Sequence, residues 1–214
     1  AQNKIIADIV HRNGGQIAAA IVYDKFRRPL EKILDVPIMN WSVATSQCEL
    51  TKLLSEGKSI PHKKAWYYSN REAKHTNAVR AGFGWYLYKS NYQGNIPWAY
   101  YYLALKWEPF GQESPHSVAF YVFPTKDEPI STLKFEAARE GVNDLRYLEL
   151  LERKLNECSD KQKVHLIKDE LEKALGVFSL WNDKGVYSKN YLVEAQEYDS
   201  LRRKLQDWLL ELFE

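Results

Sequence analysis

The stretch that decides the predicted fold is residues 64–102, KAWYYSNREAKHTNAVRAGFGWYLYKSNYQGNIPWAYYY. It contains two short apolar runs, KAWYY (64–68) and IPWAYYY (96–102), with the length and aromatic content expected of buried strands. Between them, residues 76–89 carry apolar side chains at helical spacing, and no tight hairpin turn joins the two runs. Strands that are connected through a helix pair in parallel, so this stretch predicts a βα unit.

The same alternation extends toward the N terminus. The runs QIAAAIVY (16–23) and DVPIMNW (35–41) predict two further strands, followed by helical segments at 29–34 and 46–57. Four short units in about 100 residues, against about 250 for a whole (β/α)8 barrel, predict half of such a barrel. The alternative is a flavodoxin-like open sheet, although no Gly-rich phosphate loop follows any predicted strand.

The chain after residue 106 has a different pattern. A last strand, SVAFYVF (117–123), precedes a long helix with Ser131 as its predicted N-cap and an apolar stripe that reaches Leu155. Two more amphipathic helices are predicted over residues 160–175 and 195–213. We therefore expect an α/β chain that divides into a partial barrel over 1–155 and a C-terminal helical extension over 156–214.

The composition narrows the classes of function. Hydrophobic residues make up 45% of the 214, and the formal net charge is only +2, which is typical of a soluble globular protein. The balance of charge gives no basis for binding nucleic acid or an anionic membrane, and no apolar run approaches the roughly 18 residues of a membrane span. The five histidines and two cysteines show no metal-ligand spacing, so we predict neither a metal nor a cofactor.

Aromatic residues, 14% of the chain, gather where the predicted strands end. Trp41 follows the second strand, residues 66–68 close the third, and Trp98 and Tyr100 lie on the fourth. At the carboxyl ends of barrel strands the side chains face the active site, where aromatic faces can stack on the C–H surfaces of a sugar. These clusters favour a carbohydrate cleft, and the alternative is that they are core residues with a polar handle.

Two segments carry a resemblance to a known family. Residues 65–70 (AWYYSN) with 77–100 (NAVRAGFGWYLYKSNYQGNIPWAY), and residues 129–155 (PISTLKFEAAREGVNDLRYLELLERKL), resemble the glycoside hydrolase family 123 catalytic domains. The second segment is similar to the family form P-S-L-R-x-E-x-x-R-E-G-x-x-D-x-x-Y-L, with Leu133-Lys134 in place of Leu-Arg. Phe123-Pro124 stands where the family has Tyr-Pro. The resemblance covers roughly residues 15–155 and implies the C-terminal half of a (β/α)8 barrel.

The resemblance also implies an activity, an exo-acting hydrolase of N-acetylhexosaminides or related glycosides. In such enzymes the acetamido oxygen of the sugar attacks, oriented by an Asp, and a neighbouring Glu acts as the general acid. That Asp-Glu dipeptide belongs to the earlier half of the barrel, whereas here Asp127-Glu128 follows the last strand and Asp169-Glu170 lies in a late helix. The resemblance therefore places no catalytic residue in this chain, leaves its own enzymatic activity open, and implies a secreted or periplasmic location.

The remaining candidates form the wall of a sugar pocket. We predict that it is lined by Tyr67, Tyr68, Asn70, Arg80, Trp85, Trp98 and Tyr100, with Asp24 as a weaker candidate. The motif residues Arg139, Glu140 and Asp144 are predicted to form an Arg–carboxylate network that locks the last barrel helix in place.

The sequence leaves three functions open. The first is a glycosidase-like barrel in which this chain binds the carbohydrate substrate. The others are a non-catalytic carbohydrate-binding or scaffold protein and an all-helical interaction module. Half a barrel leaves a strand edge unpaired, so we also expect the chain to associate with the missing N-terminal half or with a second copy.

Overall fold

The computed structural model of the chain describes residues 2–21, 30, 33–40, 49–60, 62, 64–69, 76–97, 122–123, 126–178 and 193–213. The strands are β1 (Ala18–Ile21), β2 (Val36–Asn40), β3 (Trp66–Ser69), β4 (Gly94–Pro97), β5 (Val122–Phe123) and β6 (Ile130–Ser131). The helices are α1 (Gln2–Arg12), α2 (Glu49–Ser55), α3 (Thr76–Phe83), α4 (Trp85–Ser90), α5 (Leu133–Glu157), α6 (Lys161–Gly176) and α7 (Ala195–Phe213). None of these described helices combines the length and the apolar character that a membrane crossing requires.

Strands β1 to β4 form one parallel sheet, in which each strand lies beside the next along the chain. This arrangement confirms the parallel pairing predicted from the helical connections, and with its helices it makes the fold a mixed α/β one. Strand β4 begins at Gly94, earlier than the predicted start at Ile96. The part of the predicted strand beyond Pro97, and the run at 117–121, lie outside the described residues.

The register divides the side chains of the sheet between two faces. Met39 and Tyr67 are Cα partners and point to the same face, where they pack with Leu50 of α2 and Tyr86 of α4. We call this the helix-covered face. The alternate residues point the other way and form the opposite face, whose members include Ala18, Ala20, Ile38, Trp66 and Tyr68.

The helix predicted over residues 76–89 is two helices, α3 and α4, which are separated at Gly84. A Cβ on Gly84 would lie 2.5 Å from the backbone oxygen of Gly141 in α5, so the chain needs a glycine at this point. A Cβ on Gly141 would in turn collide with the backbone oxygen of Arg80 in α3. The two glycines therefore let α5 cross the α3–α4 junction with backbone against backbone.

The start of α5 differs from the predicted one. Thr132 is the N-cap, and its side chain accepts a hydrogen bond from the amide of Phe135 at 3.3 Å. The prediction that Ser131 caps the helix is wrong, because Ser131 ends β6, which pairs antiparallel with β5. The two later helices are confirmed, and the Asp160 carboxylate caps α6 by accepting from the amides of Gln162 and Lys163.

Two large hydrophobic clusters among the described residues hold these elements together, with a smaller one around Val79 and Ala138 between α3 and α5. One lies between the helix-covered face of the sheet and helices α2 and α4. The other joins Trp85 of α4 to the leucines of α5 and to Tyr198 and Trp208 of α7. Residues on both sides of the predicted boundary at 155/156 contribute to this second cluster, and the division into two domains stays a prediction.

Candidate functional site

The seven predicted pocket residues fall into three groups. Asn70, Trp98 and Tyr100 lie outside the described residues, as do Asp24 and Trp41. Tyr67, Arg80 and Trp85 make buried contacts with the helices, and Tyr68 points to the opposite face of the sheet. The structure therefore brings together Arg80 and Trp85, and it separates Tyr67 from Tyr68.

The neighbouring tyrosines of β3 have different surroundings. Tyr67 is fully buried beneath α4, its ring meets Tyr86 edge-on at 5.1 Å, and its hydroxyl donates to the backbone oxygen of Gly82. Tyr68 keeps 9% of its surface exposed, and within the described part of the chain its hydroxyl has no hydrogen-bond partner. Because alternate residues of a strand face opposite ways, Tyr67 lies against the helices and Tyr68 lies on the opposite face of the sheet.

The carboxyl end of the sheet places an amide beside this tyrosine. Asn40, the last residue of β2, is the Cα partner of Tyr68 in β3. Trp66 lies on the same face nearer the start of the strand, against Gly94, where a Cβ would come within 2.9 Å of the indole Nε1. No acceptor for that buried Nε1 is found among the described residues. An aromatic hydroxyl and an amide at the carboxyl ends of adjacent parallel strands can bind the hydroxyl groups of a sugar.

A buried carboxylate joins the predicted residues Arg80 and Trp85. Asp144 of α5 is completely buried and accepts from Arg80 Nε at 2.7 Å and from Trp85 Nε1 at 3.1 Å. It also accepts from Arg202 Nε of α7 at 2.8 Å. Five residues apart on one helix, Arg80 and Trp85 would face different ways, and the break at Gly84 lets both reach Asp144.

The predicted Arg–carboxylate network is confirmed for its two acids and wrong for its arginine. Glu140 accepts from Arg202 Nη1 at 2.5 Å, so Glu140 and Asp144 share that guanidinium. The side chain of Arg139 is 63% exposed and pairs with Glu136 one turn away on the same helix. Arg202 is 58 residues from Asp144 along the chain, and no spacing in the sequence indicates this pair.

The charges of this network compensate one another. The hydrogen bond from Arg202 lowers the pKa of Glu140 below its ordinary 4.5, against the smaller opposing effect of burial. Burial by itself would lower the pKa of Arg202, but its bonds to the two carboxylates outweigh burial and raise it. Tyr198 lies under the Arg80 guanidinium, 4.7 Å from ring centroid to Cζ, and burial raises the pKa of its hydroxyl. The carboxylates of Glu140 and Asp144 and the guanidiniums of Arg80 and Arg202 thus form one hydrogen-bonded group of opposite charges.

Neither Asp-Glu pair of the chain resembles a catalytic site. Asp127 and Glu128 are exposed between β5 and β6. Asp169 and Glu170 are exposed on α6, where they contact His165 (3.4 Å) and the Trp208 indole (3.1 Å). Within the described ranges, no three His, Cys, Asp or Glu side chains gather in a way that could hold a metal ion.

Comparison with known proteins finds one matching family model. The family model described as "Glycoside hydrolase 123, catalytic domain" matches residues 1–151, which is 151 of the 214 residues. The matched segment contains the whole sheet and most of α5, with Glu140 and Asp144, whereas Arg202 lies beyond it. A search of curated proteins finds no match.

Proposed function

The chain belongs to the glycoside hydrolase 123 catalytic-domain family, and we propose that it is the C-terminal half of a (β/α)8 barrel that acts on glycosides. The strand order carries this proposal. A barrel places every strand beside its successor, as β1 to β4 are placed here. The doubly wound orders 3-2-1-4-5-6 and 2-1-3-4-5 never set four successive strands side by side, so the order favours the barrel over the open sheet.

The edge of the sheet supports the same proposal. β1 lies at one edge, Ala18 and Ala20 are exposed there, and α1, the helix that precedes β1, exposes three isoleucines (Ile5, Ile6 and Ile9). Parallel sheets are normally covered on both faces, and an unpaired edge invites another strand. We propose that the other half of the barrel, or in its absence a second copy of the chain, covers this edge. The helices after residue 155 then form an extension outside the barrel.

The family supports glycosides as the substrate class, and the kind of sugar and the residues that contact it are proposed here. We propose N-acetylhexosaminides as the substrate, with Tyr68 and the predicted residues Asn70, Trp98 and Tyr100 forming part of the sugar-binding wall. Both Asp-Glu pairs of this chain are exposed, which favours a barrel whose other half supplies the catalytic acids. The same observation is the basis of the alternative function, a carbohydrate-binding protein without hydrolytic activity.

Tyr67 and Tyr68 form a matched pair for testing this proposal. In Tyr68→Phe the sugar loses one hydrogen bond of about 1 kcal/mol, so its dissociation constant should rise about fivefold while stability is unchanged. In Tyr67→Phe the buried oxygen of Gly82 loses its donor, which should cost about 1 to 2 kcal/mol of stability and leave affinity per folded molecule unchanged.

Titration with N-acetylhexosamines, followed by calorimetry or by tyrosine and tryptophan fluorescence, gives the two affinities, and thermal unfolding gives the two stabilities. Equal sugar affinity in Tyr68→Phe and the wild type would remove Tyr68 from the wall. Release of p-nitrophenol from p-nitrophenyl N-acetylhexosaminides then separates the two functions. Binding without hydrolysis, even when the polypeptide of the other half is present, would favour the non-catalytic alternative.

A further inference from the structure

Helix α7 lies outside the segment that matches the family, yet it packs against α5 within that segment and also reaches helix α3. The Tyr198 hydroxyl donates to the backbone oxygen of Asn77 at 2.9 Å. Asp199 lies 3.6 Å from Arg80 Nη1, and the Tyr198 ring lies under the same guanidinium. Arg202 binds Asp144, which in turn binds Arg80.

The part of α3 that receives these contacts is its first half. Asn77 is in the first turn, and Arg80 comes one turn later. The helix follows β3 after residues 70–75, so its first turn continues the connection that leaves the carboxyl end of β3. Tyr68 lies at that end of the strand. The contacts from α7 therefore act on the helix that comes next in the chain after the strand of Tyr68.

The contacts also differ in kind from ordinary packing. Asp144 is fully buried, and Arg80 and Arg202 both donate to it, which matters because a buried charge that loses a paired charge is strongly unfavourable. Arg202 supplies its bonds from α7, and Arg80 supplies the others from α3. The carboxylate thus couples the position of α7 to the position of α3, while the hydroxyl of Tyr198 holds the first turn directly.

We propose that Arg202 and Tyr198 are positioning residues, which hold the first turn of α3 and through it fix the carboxyl end of β3 in the geometry that binds the sugar. The inference rests on the proposed function. It gives the helices after residue 155 a role in ligand binding that the family match does not assign to them.

The test compares Arg202→Met with Arg203→Met, because the neighbouring Arg203 is exposed and provides a matched control. Hydrogen exchange should become about tenfold faster in residues 76–83 of Arg202→Met and stay at the wild-type rate in α6. The dissociation constant for an N-acetylhexosamine, measured where both variants are fully folded, should rise severalfold in Arg202→Met only. Arg202→Lys should recover part of the loss, since it keeps one charged donor.

Two results would overturn the inference. One is a lower unfolding temperature of Arg202→Met with wild-type exchange in α3 and wild-type affinity, which would make the role purely structural. The other is a uniform rise of exchange throughout the chain. If Arg202→Met fails to fold, Tyr198→Phe removes only the bond to Asn77 and is held to the same two criteria. If the wild type binds no sugar, the proposed function fails. Wild-type hydrogen exchange in α3 of Arg202→Met would by itself overturn the inference that α7 holds this helix.

Discussion

The crossing of α5 over the α3–α4 junction leads to a prediction with an unusual sign. Replacing a helical glycine by alanine normally stabilises a helix, by about 1 kcal/mol. Gly141 lies within α5, but a Cβ there would collide with the backbone oxygen of Arg80 and come 3.0 Å from Cβ of Phe83. Gly141→Ala should therefore destabilise the protein although it improves helix propensity.

The size of the effect follows from these contacts. Backbone atoms of α3 cannot rotate away as a side chain could, so the two helices must separate by roughly 1 Å to reach a normal contact distance. Overpacking of this kind costs about 3 kcal/mol at the upper end of its usual range. The gain of about 1 kcal/mol from propensity leaves a net loss of about 2 kcal/mol. The bond of 2.7 Å between Arg80 and Asp144 should lengthen at the same time.

Gly176 is the matched control. It ends α6, and a Cβ there would meet nothing within 4 Å, so Gly176→Ala should keep the propensity gain and be neutral or more stable. Urea unfolding followed by circular dichroism gives the free energy of unfolding of both variants. A Gly141→Ala variant as stable as Gly176→Ala would show that the helices do not meet through their backbones, and the explanation of the crossing would be refuted.

Three further predictions concern the charged groups. Burial lowers the pKa of Lys134 to about 8 from 10.5, so between these pH values the unfolded chain binds more protons and the free energy of unfolding should rise with pH. Lys134→Met should remove this rise and add about 1 kcal/mol of stability at neutral pH, measured by thermal unfolding. A loss of stability in this variant would contradict the prediction. The lowered pKa of Glu140 contributes stability that is present above pH 4.5 and is lost as the pH falls through the pKa of the folded state. In Glu140→Gln the free energy of unfolding in urea should therefore fall less steeply as the pH is lowered. An unchanged dependence of that free energy on pH would exclude this role. Asp144→Asn leaves two partly buried guanidiniums without their shared carboxylate and should cost about 3 kcal/mol by urea unfolding. A loss below about 1 kcal/mol would mean that the network is dispensable.

The sequence was sufficient for features that depend on nearby residues. Helix-length connections between apolar runs exclude tight hairpins, so the parallel pairing of β1 to β4 could be predicted. The extents of α6 and α7, to within a residue or so, follow from a periodic apolar stripe. The family could also be predicted, because its most specific motif lies in one continuous helix, α5.

Other features depended on the tertiary structure. Adjacent residues of a strand point to opposite faces, and only the register with helices on one side shows that Tyr67 packs against those helices and that Tyr68 does not. In the same way, the motif indicates that Glu140 and Asp144 need arginines but not which ones. Arg139 is next to Glu140 in sequence and faces solvent, whereas Arg202 comes from α7, 58 residues from Asp144. Capping and periodicity act over a few residues, but the partners of a buried charge are set by how helices cross, and here that crossing depends on two glycines in different helical segments, Gly84 and Gly141.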